Sequence, residues 1–227
     1  FYADPSVGIE TLDQLNARNE QEEAEVKGAF EAAVARAGVN HEWREVEHHF
    51  TSSLASDAHY ADVIVAGQSA PENSSQSTEA ILMGSGRPVI MVPHVGVRSN
   101  AVKRILVAWT ESREAARAVH DAMPMLQAAD AVHVLSIAGK NRHVEQARIA
   151  SRAMTAYLAG HGVNAESHHE LDPDIDVADA LLSRAADLQI DALVMGAYGH
   201  SKLREMVMGG ATRDLFSQMT VPTLMSH

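Results

Sequence analysis

Five short, almost unbroken apolar runs constrain this chain more than anything else in it. They are Asp62-Val-Ile-Val-Ala66, Val89-Ile-Met-Val92, Arg104-Ile-Leu-Val-Ala108, Val132-His-Val-Leu135 and Asp191-Ala-Leu-Val-Met195. A run this short with no polar alternation is a strand buried on both faces. Such strands belong to parallel sheets, whose neighbours are joined by crossovers long enough to hold a helix. The segments between them suit that role. Helical patterns run over Glu111 to Ala128, with a kink expected at Pro124, over His143 to Ala159, closed by Gly160-His-Gly162, and over Ile175 to Leu188. Further strands are expected at Ala165 to Leu171 and Val221 to Met225, with a helix at Ala211 to Met219 before the last. The fold class is therefore α/β, a parallel sheet covered by helices on both faces.

The chain before residue 100 is sparser. Leu12 to Ala37 reads as one long amphipathic helix stopped by Gly38. A short strand is expected at Trp43 to Val46 and a short helix at Thr51 to His59. Ser69 to Ser77 is a polar loop, Thr78 to Met83 a helix fragment and Gly84 to Pro88 a turn. Pro93 to Ala101 has the composition of a linker.

Three segments occur twice. Gly38-Val-Asn40 recurs as Gly162-Val-Asn164, Asp62-Val-Ile-Val-Ala-Gly67 as Asp191-Ala-Leu-Val-Met-Gly196, and Pro88-Val-Ile-Met91 as Pro222-Thr-Leu-Met225. The offsets grow from 124 to 129 to 134. This predicts two tandem units, 1–97 and 98–227, the first shortened where the second carries a glycine-rich loop. The first unit also lacks the strand-helix-strand that the second spends Lys103 to Ile137 on. Missing strands would leave apolar edges open, which predicts roughly 35 to 45 further N-terminal residues or strands swapped in from a partner chain. Each unit is expected to hold a five-stranded parallel sheet, the first lacking its N-terminal β-α-β. The final strand is expected to pair with Val89–Val92 of the other repeat, or with a copy of itself, as a pseudo-dimer or homodimer.

Composition narrows function. The net charge is −12 with no Lys/Arg-rich run, which argues against nucleic acid and anionic membrane as partners. There is no cysteine, so disulfides, thiolate nucleophiles and cysteine zinc sites are excluded, and a reducing cytoplasm is the easiest fit. No apolar run approaches the length of a membrane span.

The stretch from Gly196 to Thr212, Gly-Ala-Tyr-Gly-His-Ser-Lys-Leu-Arg-Glu-Met-Val-Met-Gly-Gly-Ala-Thr, carries the functional signal. It joins a buried strand to a helix start. Glycines let a backbone approach a phosphate, and the free N–H groups of a first helical turn point at it. Four glycines near a strand end equally serve as turns and a helix cap. The loop is not a Walker loop and lacks the dinucleotide spacing. Its own spacing places glycines at Gly196, Gly199 and Gly209, followed by Gly210, Ala211 and Thr212.

That spacing resembles the nucleotide loop of the universal stress protein family, and Val221-Pro-Thr-Leu-Met225 looks like the family's last strand. The resemblance covers nearly the whole chain and implies the tandem two-domain type, with a Rossmann-like fold similar to the adenine nucleotide α-hydrolases. Family members carry wording like Val-Ala-Val-Asp-x-Ser at the end of the first strand, where the Asp holds the adenine and ribose side of ATP. Here Val107-Ala-Trp-Thr-Glu-Ser112 stands in that place, so Thr110 replaces the Asp and Ser112 matches. Gly210 stands where the family has Ser or Thr. The resemblance implies a stress-response regulator acting by binding, with ATP or another adenine nucleotide, with magnesium, held by Ala108, Trp109, Thr110, Ser112, Met195, Gly196, Gly199, His200, Gly209, Gly210, Ala211 and Thr212.

Two other readings stay open. One is an interaction protein of the same fold with a pocket filled by Trp109 or Met208. The other is a weak ATPase or adenylate-chemistry enzyme, for which no nucleophile elbow, carboxylate pair or base at diagnostic spacing is found. Among 13 histidines, the pairs His48-His49 and His168-His169 alternate faces on a strand, so neither pair chelates a metal by itself, and no metal site is read from the sequence.

Overall fold

The structure is a computed structural model that describes residues 5–44, 57–68, 76–97, 101–138, 144–170, 176–198, 215 and 218–227. It comprises two compact units, Phe1–His48 and His49–His227. In the first, helix α1 spans Pro5–Ala37 and starts earlier than its apolar pattern predicts. Gly38 stops it at a φ of 64°, its N–H donating to the Val34 carbonyl at 2.9 Å. That left-handed turn is what glycine supplies after a last helical turn. Phe30 then packs against Trp43 with ring centroids 5.5 Å apart. Trp43 and Arg44 lie outside any strand, and the remainder of the strand expected there falls outside the described residues. Of the helix expected at Thr51 to His59, Asp57 and Ala58 are described and helical.

The second unit holds β1 (Ile64–Gly67), α2 (Gln76–Gly84), β2 (Val89–Val92), β3 (Arg104–Ala108), α3 (Arg113–Asp121), α4 (Met123–Ala128), β4 (Ala131–Ile137), α5 (Val144–Gly160), β5 (Ala165–Glu170), α6 (Val177–Asp187), β6 (Ala192–Gly196) and β7 (Thr223–Ser226). Among the described residues, seven strands form one sheet in the order β1-β2-β7-β6-β3-β4-β5. Every neighbouring pair is parallel except β2 and β7. These two run antiparallel, with Val89 opposite Met225, Ile90 opposite Leu224 and Met91 opposite Thr223. The last strand thus meets Val89–Val92 as the sequence led us to expect. Five strands, β7-β6-β3-β4-β5, come from residues after 100, and β1-β2 extend the same sheet.

Alternation of side chains sorts the core into two layers. Leu106, Leu135, Leu193 and Met195 face Ala178, Leu181 and Ala185 of α6. Ile105, Val107, Val132, Val134 and Val194 face Ala118 and Val119 of α3, Leu126 of α4 and Leu158 of α5. Burying each such Leu or Val contributes about 1.5–3 kcal/mol before chain entropy is counted. The helix expected over Glu111 to Ala128 is two helices, broken at Ala122. Pro124, in the first turn of the second, has no N–H, and its ring would clash with the carbonyl four residues earlier in a continuous helix.

Candidate functional site

In this sheet β3 connects outward to β4 and β5, and the chain then crosses back to lay β6 on the other side of β3. The carboxyl ends of β3 and β6 therefore frame the topological switch point, where open α/β sheets bind ligands. Trp109 to Ser112 leave the sheet on one side of it and Gly196 to Tyr198 on the other.

Trp109 continues the ladder, its N–H donating to the Leu135 carbonyl at 2.8 Å. Its own carbonyl accepts from Ser136 Oγ at 3.0 Å. Thr110 Oγ1 donates to Ser112 Oγ at 3.2 Å, so its lone pairs remain as acceptors. Ser112 is the N-cap of α3, its hydroxyl accepting from the Ala115 N–H at 3.1 Å. The serine that the sequence marks as a ligand contact is thereby engaged in starting the helix. Ala108 and Met195 turn their side chains onto the core layer beneath α6, so they offer the site main chain rather than side chain.

Gly196 has a different and sharper role. A Cβ built on it would lie 2.4 Å from Ala115 N, 2.6 Å from the Glu114 carbonyl carbon and 2.9 Å from Ala115 Cα. The first turn of α3 rests directly on this glycine, and only a residue without a side chain lets it. Glu114 is buried there beside Arg113. Burial pulls its carboxyl upward, but the hydrogen bond from Arg113 and its own backbone outweigh that and hold it below the usual value. Beyond Gly196, Tyr198 turns at a φ of 58° and stands edge-on to His227, ring centroids 6.4 Å apart. A non-glycine residue in this region marks a constrained turn. Gly199, His200, Gly209, Gly210, Ala211 and Thr212 lie outside the described residues.

At the carboxyl ends of β3 and β4 opens a pocket of about 360 Å³, lined by Trp109, Thr110, Glu111, Ser136, Ile137 and, from α5, Gln146, Ala147, Ile149 and Ala150. Trp109 forms a wall of the pocket and leaves it open. Sequence reasoning missed every residue here from β4 and α5. Ser136 had one legible signal, a hydroxyl just past the apolar run that ends at Leu135.

Comparison with known proteins decides the lineage. Residues 101–227 match the model of the universal stress protein family. The chain belongs to that family. A universal stress protein from Archaeoglobus fulgidus is similar in structure at a TM-score of 0.67 and 19% identity, over 95% of this chain and 78% of that one. A protein of unknown function from Pseudomonas aeruginosa PAO1 is similar at 0.57 and 17%, over 89% and 77%. A putative universal stress protein from another Pseudomonas aeruginosa strain gives 0.56 and 16%, over 89% and 77%. At these identities the likeness is one of fold. No curated protein matches in sequence. For this universal stress protein, the pocket at the carboxyl ends of β3 and β4 is therefore read from its own residues.

Proposed function

We propose that this universal stress protein is a stress-response regulator that binds an adenine nucleotide, as its magnesium complex, in the pocket beside Trp109, and that it acts through binding rather than catalysis. The observation that carries this reading is the open pocket at the carboxyl ends of β3 and β4, next to the switch point. Its chemistry suits a nucleoside. Trp109 and Ile137 supply apolar walls for a base, and Thr110 supplies a hydrogen-bond acceptor. Glu111, one residue beyond Thr110, brings to the pocket a carboxylate of the kind that family members place at the Thr110 position. The phosphates would extend from there toward Gly196 and the loop from Gly199 to Thr212. A reading in which Trp109 fills the pocket is disfavoured by the open volume beside it. A cytoplasmic location and the tandem pairing of units 1–97 and 98–227 belong to the same proposal. No helix among the described residues is long and apolar enough to cross a membrane.

Trp43 and Trp109 are the chain's two tryptophans. In a Trp43→Phe background, emission therefore reports on Trp109 alone. Titration with ATP and magnesium should change that emission saturably, and Thr110→Val should weaken binding about fivefold, the worth of roughly 1 kcal/mol for one hydrogen bond. An unchanged spectrum up to millimolar ATP removes the proposal.

A further inference from the structure

A second constellation lies on β4 and the edge strand β5. The parallel register of β4 and β5 sets His133 opposite Glu166 and Leu135 opposite His168. By alternation His133, Glu166 and His168 all project from one face, at the edge of the sheet. His133 Nδ1 and His168 Nε2 share a hydrogen bond at 3.0 Å, which a bound ion would replace, and His133 Nδ1 lies 3.7 Å from a Glu166 carboxylate oxygen. The other Glu166 oxygen is 3.9 Å from His168 Nε2. The three side chains can each present one ligand atom within 4.8 Å of the others.

We infer that His133, Glu166 and His168 form a binding site for a divalent transition metal of the zinc class, with a fourth position open to solvent. Zinc bonds to imidazole nitrogen and carboxylate oxygen are about 2.0–2.2 Å, so a tetrahedral ion separates its ligand atoms by roughly 3.3–3.5 Å. The two imidazole nitrogens lie a little closer together than that value, and each lies a little farther than it from one of the two Glu166 oxygens, so small side-chain rotations would bring three ligand atoms to it. The position of the carboxylate is the telling detail. Glu166 lies too far from either ring for a hydrogen bond, but each of its two oxygens comes within ion-pair distance of one ring, at 3.7 Å and 3.9 Å. A carboxylate that faces two imidazole nitrogens and hydrogen-bonds to neither is within reach of an ion shared with both. Two imidazoles and one carboxylate also select zinc, copper or nickel over magnesium or calcium, which take oxygen ligands.

Burial grades the site from anchor to mouth. His133 is 6% exposed and fixed in the sheet. His168 is partly covered, and Glu166 stands in solvent, so an ion enters past Glu166. The Arg104 guanidinium, near His133, is engaged by the Leu188 carbonyl at 2.9 Å. His133 Nε2 has no hydrogen-bond partner among the described residues. Among the described residues the ring's hydrogen bond to His168 and its contact with Glu166 are both made through Nδ1. His168 and His169 alternate faces, so that pair does not chelate. The second imidazole comes from β4, 35 residues earlier, where sequence spacing gives no hint of it.

The test is Zn(II) titration of the full chain against a chromophoric chelator, without nucleotide, repeated with Co(II), whose visible absorption distinguishes four- from six-coordinate binding. Wild type should bind one equivalent with a four-coordinate Co(II) spectrum. Glu166→Gln changes a solvent-exposed side chain and His168→Ala a partly covered one, and both keep the buried anchor His133. Each should weaken binding by about tenfold or more, since even outer-shell losses cost 10–100-fold. His169→Ala, on the opposite face, should bind as wild type. Absence of zinc binding, or zinc binding equal in all four proteins, overturns the inference, the latter assigning the metal to other histidines.

Discussion

Replacing Gly196 by alanine tests the account at the point where helix α3 meets strand β6. The added methyl would sit 2.4 Å from Ala115 N and 2.6 Å from the Glu114 carbonyl carbon, both backbone atoms. Ordinary contact begins near 3.4 Å, so the start of α3 must retreat by about 1 Å. It cannot do so alone, because Ser112 caps this turn and Glu114, Ala115, Ala118 and Val119 are buried along it. Overpacking of a tight site costs about 1–3 kcal/mol, and a clash with backbone on this scale belongs at the upper end. Removing a glycine from the unfolded chain returns at most about 1 kcal/mol. The net loss is about 2–3 kcal/mol, a fall in Tm of roughly 4–12 °C for a chain of this size. The repeat provides the control. Gly67 ends the matching segment, and a Cβ there would meet nothing within 4 Å. Gly67→Ala should lie within about 0.5 kcal/mol of wild type, as surface changes usually do. Thermal unfolding of both variants, followed by circular dichroism, decides the matter. A Gly196→Ala protein as stable as Gly67→Ala would refute the claim that this glycine is there for helix packing.

Three further outcomes follow from the geometry. Ser112→Ala removes the N-cap of α3 and should cost about 1 kcal/mol in a urea titration; no loss would mean the cap contributes nothing. Because the Glu114 carboxyl titrates below its ordinary value, its ionised form favours the folded state. That contribution is complete above the ordinary carboxylate range and disappears as pH falls through the lowered value. Glu114→Gln should therefore be less stable than wild type at neutral pH, with the gap closing in acid; a gap constant with pH would contradict the assignment. Finally, the chain has no cysteine, so Ile90→Cys with Leu224→Cys tests the antiparallel junction cleanly. Directly opposed residues have Cα atoms about 4.5–5.5 Å apart, within disulfide reach. Mild oxidation should give an intramolecular crosslink, read by mass and mobility, whereas crosslinks only between chains would contradict the register.

Much of the fold could be read from the chain because burial on both faces leaves a local mark. Val89–Val92, Arg104–Ala108 and Asp191–Met195 announce strands by composition alone, and the recurrence of Asp62–Gly67 at Asp191–Gly196 announces their equivalence. Pro124 announced the break between α3 and α4 through its missing N–H. What escaped notice depends on contacts between distant segments. Gly196 looks like a loop glycine until α3 is seen resting on it. Ser136, Gln146 and Ala150 reach the pocket only through the pairing of β3 with β4 and the packing of α5. His133 and His168 meet through register, which no spacing rule along one strand encodes. Ser112 was legible as a residue that matters, but its part in capping α3 is seen only in the geometry.

The central claim is that the pocket beside Trp109 takes an adenine nucleotide, with the phosphates toward the glycine-rich loop. Isothermal titration of ATP, ADP and AMP, each with magnesium, into the full chain tests it most directly, with Gly199→Asp as the comparison because it puts a side chain and a negative charge at the proposed phosphate position. The account predicts micromolar binding by the wild type that the variant abolishes. Absence of heat with all three nucleotides up to millimolar concentration, or binding that Gly199→Asp leaves intact, would contradict it.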